Sequence, residues 1–118
     1  MTELVACLSS GKGTWAHVQR LIDGQEWEKI FLITNDFGKQ NFKANEKTEL
    51  IVIDPNRFLP ELVEDIKNAL KGKITGIEVA VNFISGSGKE HMALMSAVQQ
   101  LGVGLRLVAL TKEGVKEV

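Results

Sequence analysis

Two short stretches hold most of the residues whose types and spacing could do chemistry. Ser9-Ser10-Gly11-Lys12-Gly13-Thr14 follows an apolar, β-branched run and opens into helical patterning, and Asn82-Phe83-Ile84-Ser85-Gly86-Ser87-Gly88-Lys89 repeats that arrangement later in the chain. Backbone N–H groups at a helix start are unpaired and lie at the positive end of the macrodipole, while glycine lets an anion approach the main chain closely. Lys12 and Lys89 add full positive charges. The chemistry is anion binding, with a phosphate as the natural guest. Taken alone, either loop also reads as an ordinary tight strand-to-helix turn. Neither is a P-loop, because Phe83 stands where the first glycine belongs and Glu90 follows Lys89. The third glycine of the dinucleotide pattern is replaced by Ala16. ATPase and dehydrogenase readings are weakened.

Other candidates are fewer. His91, two residues after Lys89, sits where a helix dipole favours the neutral imidazole. It is either a phosphate contact, an acid–base group or a plain exposed helix-start residue. His17 lies within a helical pattern and reads as structural or exposed. No set of His and carboxylate residues has metal-ligand spacing, so no metal and no cofactor is expected, although Asp36 and Asp54 follow strand ends. The single cysteine, Cys7, excludes an internal disulfide or a cysteine zinc cluster, and its apolar run makes it a small buried hydrophobe. Glu61, Glu64 and Asp65 form an acidic helix start that the macrodipole explains without chemistry.

Short apolar runs must position these loops. They fall at 4–8, 30–34, 50–53, 77–84 and 103–110, and alternate with segments of helical period. The fold class is α/β with a mainly parallel sheet of five strands in one domain, 1–118. A first helix is expected over 14–22 with Thr14 as N-cap, another from about Arg57 with Pro60 in its first turn, and a last from about Lys89 to Gly102. The segment 35–48 reads as a loop with one poor helical turn, and its Lys39, Lys43 and Lys47 as solvated charge. Strands one and four are the most apolar and should be central. If the sheet order is 3-2-1-4-5, both glycine-rich loops open on the crevice where the winding direction reverses. The tail 111–118 is either a short extra strand or frayed chain. Trp27 reads as a packing anchor or subunit contact, and Met92 and Met95 as core or dimer-seam residues.

Composition narrows the function classes. The 118 residues carry 14 Lys plus Arg against 15 Asp plus Glu, a formal charge of −1, which argues against general duplex-DNA binding. No apolar stretch approaches the roughly 20 residues that span a bilayer, and Met1-Thr2-Glu3 is no signal-peptide start. A cytoplasmic protein with no membrane contact is expected.

The first loop with Thr14-Trp15, and above all Val81-Asn82-Phe83-Ile84-Ser85-Gly86-Ser87-Gly88-Lys89 leading into a Met- and Ala-rich helix and Leu101-Gly102-Val103, resembles the CRISPR-associated Rossmann fold (CARF) superfamily. The likeness covers nearly the whole chain. It implies a Rossmann-like, three-layer α/β/α fold and a homodimer that binds cyclic oligoadenylate, such as cyclic tetra-adenylate. It also implies, in some members, metal-independent cleavage of that ring by attack of a ribose 2′-OH. Carried onto this sequence, the ligand-binding set is Ser9, Ser10, Gly11, Lys12, Gly13, Thr14, Asn82, Ser85, Gly86, Ser87, Gly88, Lys89 and His91. Lys89 would stabilise charge and Ser10 orient ribose or phosphate. Asn35, Asp36 and Phe37 are the nearest candidates for an adenine, with Phe37 equally readable as core. Two departures stand out: Ser87-Gly88 precedes Lys89 where a Gly-Thr type pair is expected, and the chain ends at Val118 without an effector domain. A stand-alone ring nuclease, a messenger-buffering protein and a sensor piece of a longer protein all fit.

Overall fold

The computed structural model describes residues 2–8 and 12–118, with only the backbone of Lys12. The elements run β1 (Glu3–Cys7), a 3₁₀ turn (Lys12–Thr14), α1 (Trp15–Asp23), β2 (Lys29–Thr34), α2 (Asp36–Asn41), β3 (Thr48–Val52), α3 (Leu59–Leu70), β4 (Glu78–Asn82), α4 (Gly88–Gln100), β5 (Gly104–Thr111) and β6 (Gly114–Glu117). They form an α/β structure around one six-stranded sheet of order β3-β2-β1-β4-β5-β6. Strands β1 to β5 are parallel, and β6 returns antiparallel to β5.

The strand period divides the core. Val5, Cys7, Phe31, Ile33, Val79 and Val81 pack with α3 and α4, whereas Leu4, Ala6, Leu8, Ile30, Leu32 and Ala80 pack with α1 and Trp27. Successive strand residues point to opposite faces, so 4–7 of β1 and 79–81 of β4 are apolar without a break because both their faces are covered. That is the central placement their composition predicts. The Trp27 indole is buried and donates from Nε1 to the Leu21 carbonyl at 2.9 Å, which makes it a packing anchor rather than a subunit contact.

Of the two readings of the tail, the strand is the one observed: Gly114, at φ +99°, closes a tight turn after β5, and Thr111 Oγ1 donates to its carbonyl at 2.8 Å. Three boundaries differ from expectation. The segment after β2 is a genuine short helix, capped where Asn35 Oδ1 accepts from Gly38 N at 3.0 Å. Strand β4 stops at Asn82, and α3 begins at Leu59. Met92 and Met95 lie on the outer side of α4, with Met92 60% exposed, so the core reading of that pair is corrected. Among the described residues no helix is long and apolar enough to cross a membrane.

Candidate functional site

Parallel strands bring their carboxyl ends to one edge. There β1 sits between β2 and β4, and the connection after β1 leaves on the face of α1 while that after β4 leaves on the face of α4. This is the switch point at which open α/β sheets bind ligands. Of the first loop, Ser9, Ser10, Gly11 and the Lys12 side chain lie outside the described residues. Gly13 is exposed in the 3₁₀ turn. Thr14 holds the position before α1, as expected, but at φ −103°, ψ 0° its side chain makes no cap hydrogen bond. Its hydroxyl and the Nε2 of His17 are buried with no partner among the described residues. The approach to the loop is fixed from β2, where Thr34 Oγ1 donates to the Leu8 carbonyl at 3.0 Å.

The second loop is held by its own side chains. Asn82 is 4% exposed; its Nδ2 donates to the Val108 carbonyl at 2.8 Å and its Oδ1 accepts from Ile84 N at 3.1 Å. Ser85 is 1% exposed, and its carbonyl accepts from His91 Nε2 at 2.7 Å, which requires that nitrogen to carry a proton. The His91 ring also lies 4.9 Å from that of Phe83. Ser87 and Glu90 form a capping box: Ser87 Oγ accepts from Glu90 N, and the Glu90 carboxylate accepts from Ser87 N at 2.7 Å. Asn82, Ser85, Ser87 and His91 therefore shape the loop. Gly88 and Lys89 carry the remaining amides of the first turn.

Glu90 also bears on Cys7. Burial, and secondarily the nearby Glu90 carboxylate, push the thiol up to about 12. At pH 7 only roughly one such thiol in 10⁵ is ionised. Folded protein should therefore resist iodoacetamide, with one equivalent taken up on unfolding; alkylation of the native state at the rate of a free thiol would contradict this.

Lys89 leans away from its own loop and donates from Nζ to the Pro55 carbonyl at 2.9 Å. Pro55 is part of a cleft of about 560 Å³ between the β2–α2 and β3–α3 junctions, within the usual range for small-molecule sites. Asn35, Asp36 and Phe37 form one wall, Val52 to Asn56 the other. Phe37 is 41% exposed and its ring meets Trp15 at 5.9 Å, so it is not a core residue. The wall contributed by β3 was missed in the sequence apart from Asp54; the Asp54-Pro55-Asn56 turn after a strand was the available signal. Among the described residues no group of three His, Cys, Asp or Glu side chains is placed to hold a metal ion.

The site thus joins an exposed ammonium and two helix-start amides to a mixed polar and apolar cleft, an arrangement suited to an anionic group carried on a ring system. Neither a family model nor a curated protein sequence matches the chain.

Proposed function

We propose that this is a three-layer, Rossmann-like α/β/α protein of the CARF type that binds a cyclic oligoadenylate, most simply cyclic tetra-adenylate, in the cytosol. The observation that carries the reading is Lys89, standing at the head of α4 beside the winding reversal and reaching the rim of the cleft. A ring of four adenylates has two-fold symmetry, so a homodimer would present each half with the same donors, doubling Lys12 and Lys89 without a basic protein overall. The exposed Met92 and Met95 of α4 suit such a seam.

If the ring is cut, the nucleophile is the substrate's own 2′-oxygen. It attacks the adjacent phosphorus, the bond to the 5′-oxygen breaks, and a 2′,3′-cyclic phosphate and a 5′-hydroxyl result. The protein aligns these atoms and stabilises phosphoryl charge, the tasks given to Ser10 and Lys89. Binding without cleavage is the alternative, favoured by Lys89, whose Nζ is engaged with the Pro55 carbonyl rather than turned to its own loop.

Cyclic tetra-adenylate at 100 times its dissociation constant should stabilise the native state by about 2.7 kcal/mol. That corresponds to a rise in Tm of about 10 °C or more for a domain of this size. Lys89→Ala should weaken binding roughly tenfold, the loss of a charge-assisted phosphate contact. No Tm shift in wild type would end the proposal. Linear di-adenylate with a cyclic phosphate end, formed in chelator, would decide between nuclease and sensor.

A further inference from the structure

At the edge of the sheet away from the candidate site, Glu3 is 4% exposed, and among the described residues no cation is paired with it. A buried carboxylate is costly unless its oxygens are hydrogen-bonded. Here the backbone supplies the bonds. Thr75 N donates to both oxygens at 3.1 Å, Gly76 N donates to Oε1 at 3.2 Å, and Thr75 Oγ1 reaches Oε2 at 3.4 Å. The first residue of β1 thus holds the connection between α3 and β4, 72 residues further on.

Little else holds that connection. Residues 71–73 and 75–78 are exposed, and only Ile74 between them packs against the core. Lys73 adds an ion pair to Glu49, exposed and therefore weak, and its N–H donates to the Leu70 carbonyl at 3.0 Å. Gly72, just before, has φ +80° and nothing within 4 Å of its Cβ position, so a change of backbone direction there meets no side chain. Ile77, just after, is fixed where its carbonyl accepts from Gly104 N at 2.8 Å. Under the segment lies a cleft of about 330 Å³, whose lining includes Glu3, Thr75, Lys73, Glu49 and the buried ring of Phe31.

We propose that residues 73–76 form a strap that opens as a unit while the sheet stays folded, with Glu3 as its latch and the cleft above Phe31 as the space it uncovers. Segments with few buried apolar contacts and exposed hydrogen bonds open well below the free energy of global unfolding. The latch is the strong tie, because charge-assisted bonds in a dry site outlast an exposed ion pair. None of this depends on the nucleotide reading.

Amide hydrogen exchange of the ¹⁵N-labelled full chain, at rising but sub-denaturing urea, tests the proposal. In the wild type the protection of Thr75 and Gly76 should be at least about tenfold below that of Val5 and Val81 and should depend less on urea, since the opening exposes little surface. Equal protection with equal urea dependence would place the strap in the global unit and overturn the proposal. Glu3→Gln keeps the shape but turns an NH₂ group toward the donors. It should lower the protection of Thr75 and Gly76 by at least about tenfold, the least such bonds are worth, and shift the ring resonances of Phe31 but not those of Phe83. The core amides should lose no more than the wild-type protection factor of the strap, because opening the strap is a cheaper escape than unfolding. A larger loss in the core, a variant that fails to fold, or a strap still protected would each overturn the proposal. Lys73→Ala should change the protection of the strap by less than about fivefold; a loss exceeding that of Glu3→Gln would show that Glu3 is not the latch.

Discussion

Gly38→Ala is expected to destabilise the protein by about 2–3 kcal/mol, although alanine is the better helix former by about 1 kcal/mol. Gly38 lies inside α2, where a methyl group would overlap the Thr34 hydroxyl oxygen and sit 3.1 Å from Thr34 Cβ. Thr34 is buried at the end of β2 and cannot yield cheaply. Its hydroxyl holds the Leu8 carbonyl, and its branched Cβ leaves few rotamers. Relief by rotation would break the bond that holds the Leu8 carbonyl at the exit of β1. Urea denaturation of Gly38→Ala, Thr34→Ala and the double variant checks this. The double variant should be at least about 1 kcal/mol more stable than the sum of the singles, since removing the hydroxyl makes room for the methyl. Simple additivity would show that the two residues do not press on each other.

That contact also explains what the sequence conceals. Strands β1 and β2 are legible because apolar runs at a strand's length, bounded by polar residues, have few other solutions. The sheet order follows from short connections and a reversal between β1 and β4. The helix after β2 is harder to read: Asn35, Gly38 and Asn41 are poor helix residues, and the turn forms because Gly38 fits under Thr34 and Asn35 caps it. Local propensity carries no record of a neighbour four residues away that accepts only a hydrogen atom. At the other end of the sheet, Phe83 and Ile84 extend the apolar run beyond the strand. Strand β4 ends at Asn82 because its amide side chain turns back to take the Ile84 N–H.

The loop before α4 shows the same division. Its position and its small residues are readable, and so is the Ser87-x-x-Glu90 capping box. What cannot be read is that Asn82 and Ser85, polar residues in a presumed ligand loop, are buried and committed to the protein itself. Nor does spacing reveal that Lys89 reaches the junction after β3, since 34 residues separate it from Pro55. Among the described residues the candidate site therefore centres on one lysine shared between a loop and a cleft.

Gly86 sets the largest expected effect in that loop. It adopts φ +100°, a conformation open to glycine and strained for other residues. A Cβ there would lie 2.9 Å from Cys7 Cβ, 3.1 Å from Glu90 Oε1 and 3.2 Å from His91 Nε2. The backbone term and the overlap are separate costs, and Gly72 distinguishes them, because it has φ +80° with nothing within 4 Å of its Cβ position. Gly72→Ala should therefore report backbone strain alone, about 1 kcal/mol. Gly86→Ala should cost about 3–4 kcal/mol, the excess coming from the collision with β1 and from loosening the Glu90 and His91 bonds. The same variant should let iodoacetamide reach Cys7 faster in native buffer, because the Cβ of that residue is the first atom the new methyl strikes. Equal losses in the two alanine variants, with Cys7 still protected, would mean that the loop does not rest on the strand as described.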